Sequence, residues 1–188
     1  PTKQMSGFVP GLRTPVVALP PGGEAAKSEA QAGRVEGADD TLRLLYVGDV
    51  GGDHYGIDAL LMAVRETEGT HLTICTRPES WARSAVEYGA LLSDRVEVVH
   101  ESGTRLKELY DESDVACLTM RPGIYRSFAA PMKLYEYLAS GTPVIASVGT
   151  YAGDFVERNE AGWVVDFTCS AIASLLAALR DDPDEVED

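Results

Sequence analysis

From Thr41 onward the chain alternates between two kinds of hydrophobic pattern. LRLLYVG, residues 42–48, is an almost continuous apolar run, the signature of a strand buried on both faces. Glycines follow, and then IDALLMAVRETEG, in which apolar positions recur at helical spacing. The alternation repeats through the strand-like segments HLTICT, RVEVVH, DVACLTM, TPVIAS and WVVDF. Between them run the helix-like segments PESWARSAVEYGALL, TRLKELYDES, PMKLYEYLAS and YAGDFVERNEAG, and SAIASLLAALRDD closes the series. The stretch RPGIYRSFAA reads as a loop, and YAGDFVERNEAG as a helix that stops at its glycine. Strands alternating with helices over short connections predict an α/β fold: a Rossmann-like, doubly wound parallel sheet of about six strands with helices on both faces. In such sheets ligands lie beyond the carboxyl ends of the strands, where the strand order reverses.

The densest stretch is Tyr125 to Ser147, YRSFAAPMKLYEYLASGTPVIAS. Pro131 suits the first helical turn, and Gly141 suits a left-handed residue just past the helix. Leu134, Tyr137 and Leu138 form the stripe that faces the core. Lys133 and Glu136 lie off that stripe, near the helix start. An i,i+3 ion pair there is worth about 0.2–0.5 kcal/mol on a helix surface. The same residues suit a ligand: Glu136 stands five residues past Pro131, about 7.5 Å along the helix at the standard rise. N–H groups at the start, with Pro131 and Met132, then suit a diphosphate, while Glu136 accepts hydroxyls of an attached ribose.

Outside the alternating region, Pro1 to Asp40 reads as an N-terminal arm and interdomain linker, residues 41–182 as the folded domain, and 183–188 as an acidic tail. Composition narrows the function classes. The chain of 188 residues has 45% hydrophobic residues and a net charge of −14. That length and content allow a substantial core. The acidity argues against nucleic acid as a partner. No run of 18 apolar residues is present to span a membrane. With no signal peptide visible and cysteines at 75, 117 and 169 in no metal-ligand spacing, the expected setting is reducing and cytoplasmic, with no metal. Arg121, Arg126 and Arg77 fall in loops at the strand ends, where with Lys133 they gather positive charge on an otherwise acidic chain. Taken singly, each reads as a solvated surface charge; it is their grouping that suggests a ligand. GDVGGDHYG is not a GxGxxG fingerprint, and Thr76-Arg77 stands where an acidic ribose ligand would end the second strand, so a dinucleotide site fits poorly. Gly51 and Gly52 serve either a plain turn or a turn that a phosphate or sugar can approach. His54 and His100 are loop-edge candidates for ligand contact.

PMKLYEYLASGTPVIAS resembles the donor-site helix and strand of GT-B-fold glycosyltransferases, especially the family 4 group. YVGDVGGDHYGIDALLMAV, RVEVVH and AGDFVERNEAGWVV match that group in order and spacing, and PVVALPPGG resembles the segment that leads into its C-terminal domain. The resemblance covers residues 14–182 or so. It implies the C-terminal half of a two-domain, retaining enzyme, which holds a nucleoside diphosphate-sugar donor such as a UDP- or GDP-sugar. A hexose-type sugar would pass to a glycan, lipid or small-molecule acceptor. The partner would be an N-terminal half of the same polypeptide, this piece would be inactive alone, and the longer protein could lie peripherally on a membrane. The donor would be a substrate, with no cofactor.

By that resemblance Glu136 holds the donor ribose, and Val99 and His100 lie in the loop that cradles the base. Other features depart from the pattern. The first Glu of the Glu-x7-Glu motif, which contacts the transferred sugar, falls at Phe128. The Arg and Lys that grip the diphosphate fall near Asp49 and Tyr55. A variant with P-x-K-x-x-E also exists in the group and is matched here by Pro131, Lys133 and Glu136, with Arg121 and Arg126 available to restore charge. The alternative is a non-catalytic interaction module that has lost this chemistry.

Overall fold

A computed structural model describes residues 41–51, 55, 57–182 and 186. The arm at 1–40, the glycines at 52 and 56, His54 and most of the acidic tail lie outside the described residues.

Among the described residues, six strands form one parallel sheet: β1 (Leu42–Val47), β2 (Thr70–Cys75), β3 (Val96–Val99), β4 (Val115–Leu118), β5 (Val144–Ser147) and β6 (Gly162–Val165). Their order is β3-β2-β1-β4-β5-β6. The direction of winding therefore reverses between β1 and β4. Beta-1 is in register with β2 along its whole length, from Leu42 opposite Thr70 to Val47 opposite Cys75. Against β4 it pairs only at Leu44–Val115 and Leu45–Ala116. The carboxyl ends of β1 and β4 are thus unpaired with each other, at the reversal where topology places a ligand crevice.

Among the described residues, seven α-helices cover the sheet: α1 (Asp58–Glu66), α2 (Pro78–Tyr88), α3 (Thr104–Asp111), α4 (Ile124–Phe128), α5 (Met132–Ala139), α6 (Tyr151–Asn159) and α7 (Cys169–Asp181). Alternation along β1 divides the core. Leu44 and Tyr46 pack with α1, α2 and α7 on one face, while Leu45 and Val47 pack with α3, α5 and α6 on the other. Burial of both faces explains why β1 reads as an uninterrupted apolar run.

Three local readings are corrected. RPGIYRSFAA is not all loop, because Ile124–Phe128 form the short helix α4. Pro131 is the residue just before α5, with φ −74° and ψ 131°, and not a member of its first turn. The end of α6 is carried by Glu160 in the left-handed region (φ 51°), and not by the glycine after it. Gly162 is needed elsewhere: it starts β6 at φ 130°, and a Cβ there would stand 2.3 Å from the Val144 carbonyl oxygen. The end of α5 follows expectation. Gly141 adopts φ 80°, its N–H donates to Leu138 O at 3.1 Å, and the Thr142 N–H donates to Tyr137 O at 3.0 Å. That pair of bonds closes a helix through a left-handed residue.

Candidate functional site at the carboxyl edge of the sheet

Alpha-5 links the site to the core. Leu134 and Tyr137 are fully buried, and Leu138 packs against the same cluster, so the predicted stripe faces the sheet. Tyr137 reaches across the crevice, and its hydroxyl accepts a hydrogen bond from the Val47 N–H at 2.8 Å. That N–H lies at the unpaired end of β1 and would otherwise be buried without a partner. Burial pushes the Tyr137 phenol well above its ordinary pKa, so it remains a neutral hydroxyl.

Glu136, the residue before Tyr137, and Lys133, one turn earlier, are only partly buried, with side chains 34% and 30% exposed. Lys133 Nζ donates to Glu136 Oε2 at 2.5 Å, the i,i+3 pair that spacing allowed. Tyr110, on α3, donates its hydroxyl to the same oxygen at 2.9 Å. Burial first, and then the bond to Glu136, push the Tyr110 phenol well above its ordinary range. Sequence reasoning missed Tyr110. The available signal was its place beside Leu106 and Leu109 on the apolar side of TRLKELYDES, since a buried tyrosine needs a partner for its hydroxyl. Cys75, at the end of β2, is buried beneath this group and donates weakly to Glu101 O at 3.5 Å. Burial raises its thiol pKa, against smaller opposing effects from that bond and from Lys133.

Across the crevice, the loop after β1 is organised by Asp49. Its Oδ1 accepts from the Gly51 N–H at 3.0 Å and from the Ser80 hydroxyl, while the Val50 N–H donates to Ser80 Oγ at 3.2 Å. Arg77 and Arg83 approach Asp49 Oδ2 at 3.7 and 3.9 Å. Burial alone would raise the Asp49 pKa; the bonds from Ser80 and Gly51, with Arg83 and Arg77, outweigh it and hold the carboxyl below its ordinary value. The Gly51 amide is therefore used within the loop. Gly52, its companion in the expected phosphate turn, lies outside the described residues.

The remaining cations are spread around the same rim. Arg126 lies over the Tyr55 ring at 4.9 Å and the Tyr125 ring at 5.5 Å. Arg121 pairs with Asp58 at 3.4 Å and covers the Phe167 ring at 5.0 Å. The two positions where the resemblance places cations, Asp49 and Tyr55, each receive guanidinium groups from elsewhere in the chain: Arg77 and Arg83 at Asp49, Arg126 at Tyr55. Arg83 was not singled out from sequence; it lies on α2, one turn beyond Ser80. Phe128 packs edge-to-face against Tyr125 with centroids 5.7 Å apart.

The base-side candidates form a separate part of the rim. His100 Nδ1 lies 2.8 Å from Thr76 O, a carbonyl partner that requires the Nδ1–H tautomer. The Thr76 N–H donates to Val99 O at 3.1 Å. Val99 and His100 thus tie the ends of β3 and β2 together. Among the described residues no group of three or more His, Cys, Asp or Glu is arranged to hold a metal ion, and no helix is long and apolar enough to cross a membrane.

The fold matches known structures. HepE of Anabaena, solved in complex with UDP and glucose, superposes with a TM-score of 0.62 at 14% identity, over 78% of this chain and 41% of that one. The sucrose-phosphate synthase of Thermosynechococcus elongatus gives 0.61 at 24% identity, over 78% of this chain and 38% of that one. WaaG, a glycosyltransferase involved in lipopolysaccharide biosynthesis, gives 0.59 at 18% identity, over 79% and 40%. At these identities the likeness is one of fold, and the chain spans about two fifths of each of these proteins. By sequence, no curated protein matches the chain. Residues 41–182 match the model of the family described as glycosyl transferases group 1. With most of its length matched in this way, the chain belongs to the group 1 glycosyl transferases.

Proposed function

We propose that this chain is the donor-binding half of its enzyme, holding a nucleoside diphosphate-sugar over the start of α5. The observation that carries the reading is the half-exposed Glu136 carboxylate one turn inside α5, with Lys133 beside it, at the edge where β1 and β4 part. A diphosphate there meets the N–H groups of the first helical turn and the Lys133 ammonium. Glu136 then accepts the ribose hydroxyls. Arg126, Arg121 and Arg77 add positive potential around the diphosphate, and Val99 and His100 form the wall for the base.

In this reading a hexose-type sugar passes, with retention of configuration, to a glycan, lipid or small-molecule acceptor. A second half of the longer polypeptide supplies the acceptor contacts, so residues 41–182 alone bind donor without turnover. The solved HepE complex holds UDP and glucose, and a UDP- or GDP-sugar is the donor class expected here. This half lowers the barrier by positioning the donor and stabilising the departing diphosphate, without a metal. The setting is cytoplasmic, with peripheral membrane contact left to the longer protein. Membership of a transferase family favours the enzyme over the non-catalytic module.

Calorimetric titration of the chain with UDP and GDP tests the reading. One of them should bind, and Glu136→Ala should weaken it by about 1.5–3 kcal/mol, the scale of hydrogen bonds to a charged group. Unchanged affinity in that variant removes Glu136 from the ribose contact. No heat with either nucleotide favours the non-catalytic module.

A further inference from the structure

The two oxygens of the Glu136 carboxylate are not equivalent. Tyr110 Oη and Lys133 Nζ both donate to Oε2, at 2.9 and 2.5 Å. A carboxylate oxygen offers about two lone-pair positions, so this oxygen is saturated and the capacity left for a ligand is that of Oε1.

The two donors are held very differently. Lys133 sits on a flexible four-carbon stem with its side chain 30% exposed, and an arriving diphosphate competes directly for its ammonium. Tyr110 cannot leave in that way. It is 9% exposed, and its ring stands edge-to-face against Tyr137, with centroids 5.7 Å apart at 81°. Tyr137 is itself fully buried and bonded to the end of β1. The position of the Tyr110 hydroxyl is therefore set by the core, through two rings and a backbone N–H.

We infer that Tyr110 is a positioning residue of the nucleotide site: its hydroxyl holds Glu136 Oε2 in place when Lys133 turns to the diphosphate, and so presents Oε1 to the ribose diol. The inference rests on the donor-binding reading above. Without the hydroxyl, the Glu136 side chain regains rotamers that the ligand must freeze again, and the clamp loses its aim. The effect acts through Glu136 alone and matters only to a ligand that carries the diol.

Those two conditions define the test. Tyr110→Phe keeps the ring and its packing against Tyr137. Calorimetry on the full chain compares UDP with 2′,3′-dideoxy-UDP, or the guanosine pair if GDP is the nucleotide bound. The expected result is a loss of about tenfold in affinity for the ribonucleotide, at the low end for a charge-assisted hydrogen bond, and a change of less than about twofold for the dideoxy analogue. In a Glu136→Ala background, Tyr110→Phe should add nothing. Equal losses for both nucleotides, or losses that add to those of Glu136→Ala, make Tyr110 a scaffold residue only and overturn the inference. Full affinity for the ribonucleotide in Tyr110→Phe does the same. A parent chain that binds neither UDP nor GDP fails earlier, at the donor-binding reading itself, and is told apart from these outcomes by the parent titration alone.

Discussion

The two sides of the crevice are built from opposite kinds of interaction. On the α5 side, the Val47 N–H bonds to the buried Tyr137 hydroxyl, the Tyr137 ring packs edge-to-face on Tyr110, and the Tyr110 hydroxyl bonds to Glu136. On the β1-loop side, the guanidinium groups that meet Asp49 are 78% and 65% exposed and stand 3.7 and 3.9 Å away. Bonds of the first kind are shielded from water and leave an orphaned group when broken. Attractions of the second kind are screened, and each is worth about 0–1 kcal/mol. The α5 side of the crevice is therefore pre-formed, whereas the guanidinium groups on the other side stand on exposed side chains.

Variants can set this contrast out in order of size. Tyr137→Phe should have the largest effect, because it strands the buried Val47 N–H. A loss of about 1–3 kcal/mol in unfolding free energy is expected, read from urea denaturation. A loss under about 0.5 kcal/mol would show that the α5 side is not anchored as described. Lys133→Ala comes next. It should cost UDP or GDP about 1–2 kcal/mol, as one charge-assisted contact does, while the matching nucleoside is bound nearly as before. Equal losses for nucleotide and nucleoside would mean that Lys133 acts only by holding Glu136.

Asp49→Asn is the smallest, at about 0.5–1 kcal/mol of stability at neutral pH. The Asp49 pKa is depressed below its ordinary value of 3.8, so its contribution is fully present above that pH and is lost as pH falls through the folded-state value. Thermal midpoints of the parent and variant should accordingly differ at pH 7 and converge below pH 3.8. A difference that persists in acid would point to the geometry of the loop instead of to the charge.

Much of the fold was readable from the chain because its evidence is local. The strand–helix alternation, the Leu134 and Tyr137 stripe and the left-handed Gly141 each depend on neighbours a few residues apart. Alpha-4 was hidden by Pro122 and Gly123 at its entrance and by its length of five residues, too short for a period to register. The end of α6 was misread because the glycine that signals a helix stop, Gly162, serves the close approach of β6 to β5. The geometry of the candidate site was readable in part. Glu136 and Lys133 stood out as candidates by their places relative to the helix start, and the structure pairs them there. Tyr110 did not, because its partner lies 26 residues away, and Ser80 and Asp49 are 31 apart. Such pairs have no period to detect, and only the folded sheet brings them together.

The bond from the Val47 N–H to the Tyr137 hydroxyl spans 90 residues of chain, and this gives the site a place in time as well as in space. Contacts between distant residues carry a loop-closure cost and are expected to form after local ones. The strand–helix units on either side can assemble first; the seam between β1 and α5 is then sealed among the last events of folding. In stopped-flow measurements, removing the Tyr137 hydroxyl should hasten unfolding and leave the refolding rate nearly unchanged. A slowed refolding arm would instead place the seam in the nucleus. On the expected ordering, a chain caught part-way through folding has a sheet whose seam to α5 is still open, with Tyr110 and Glu136 not yet brought together.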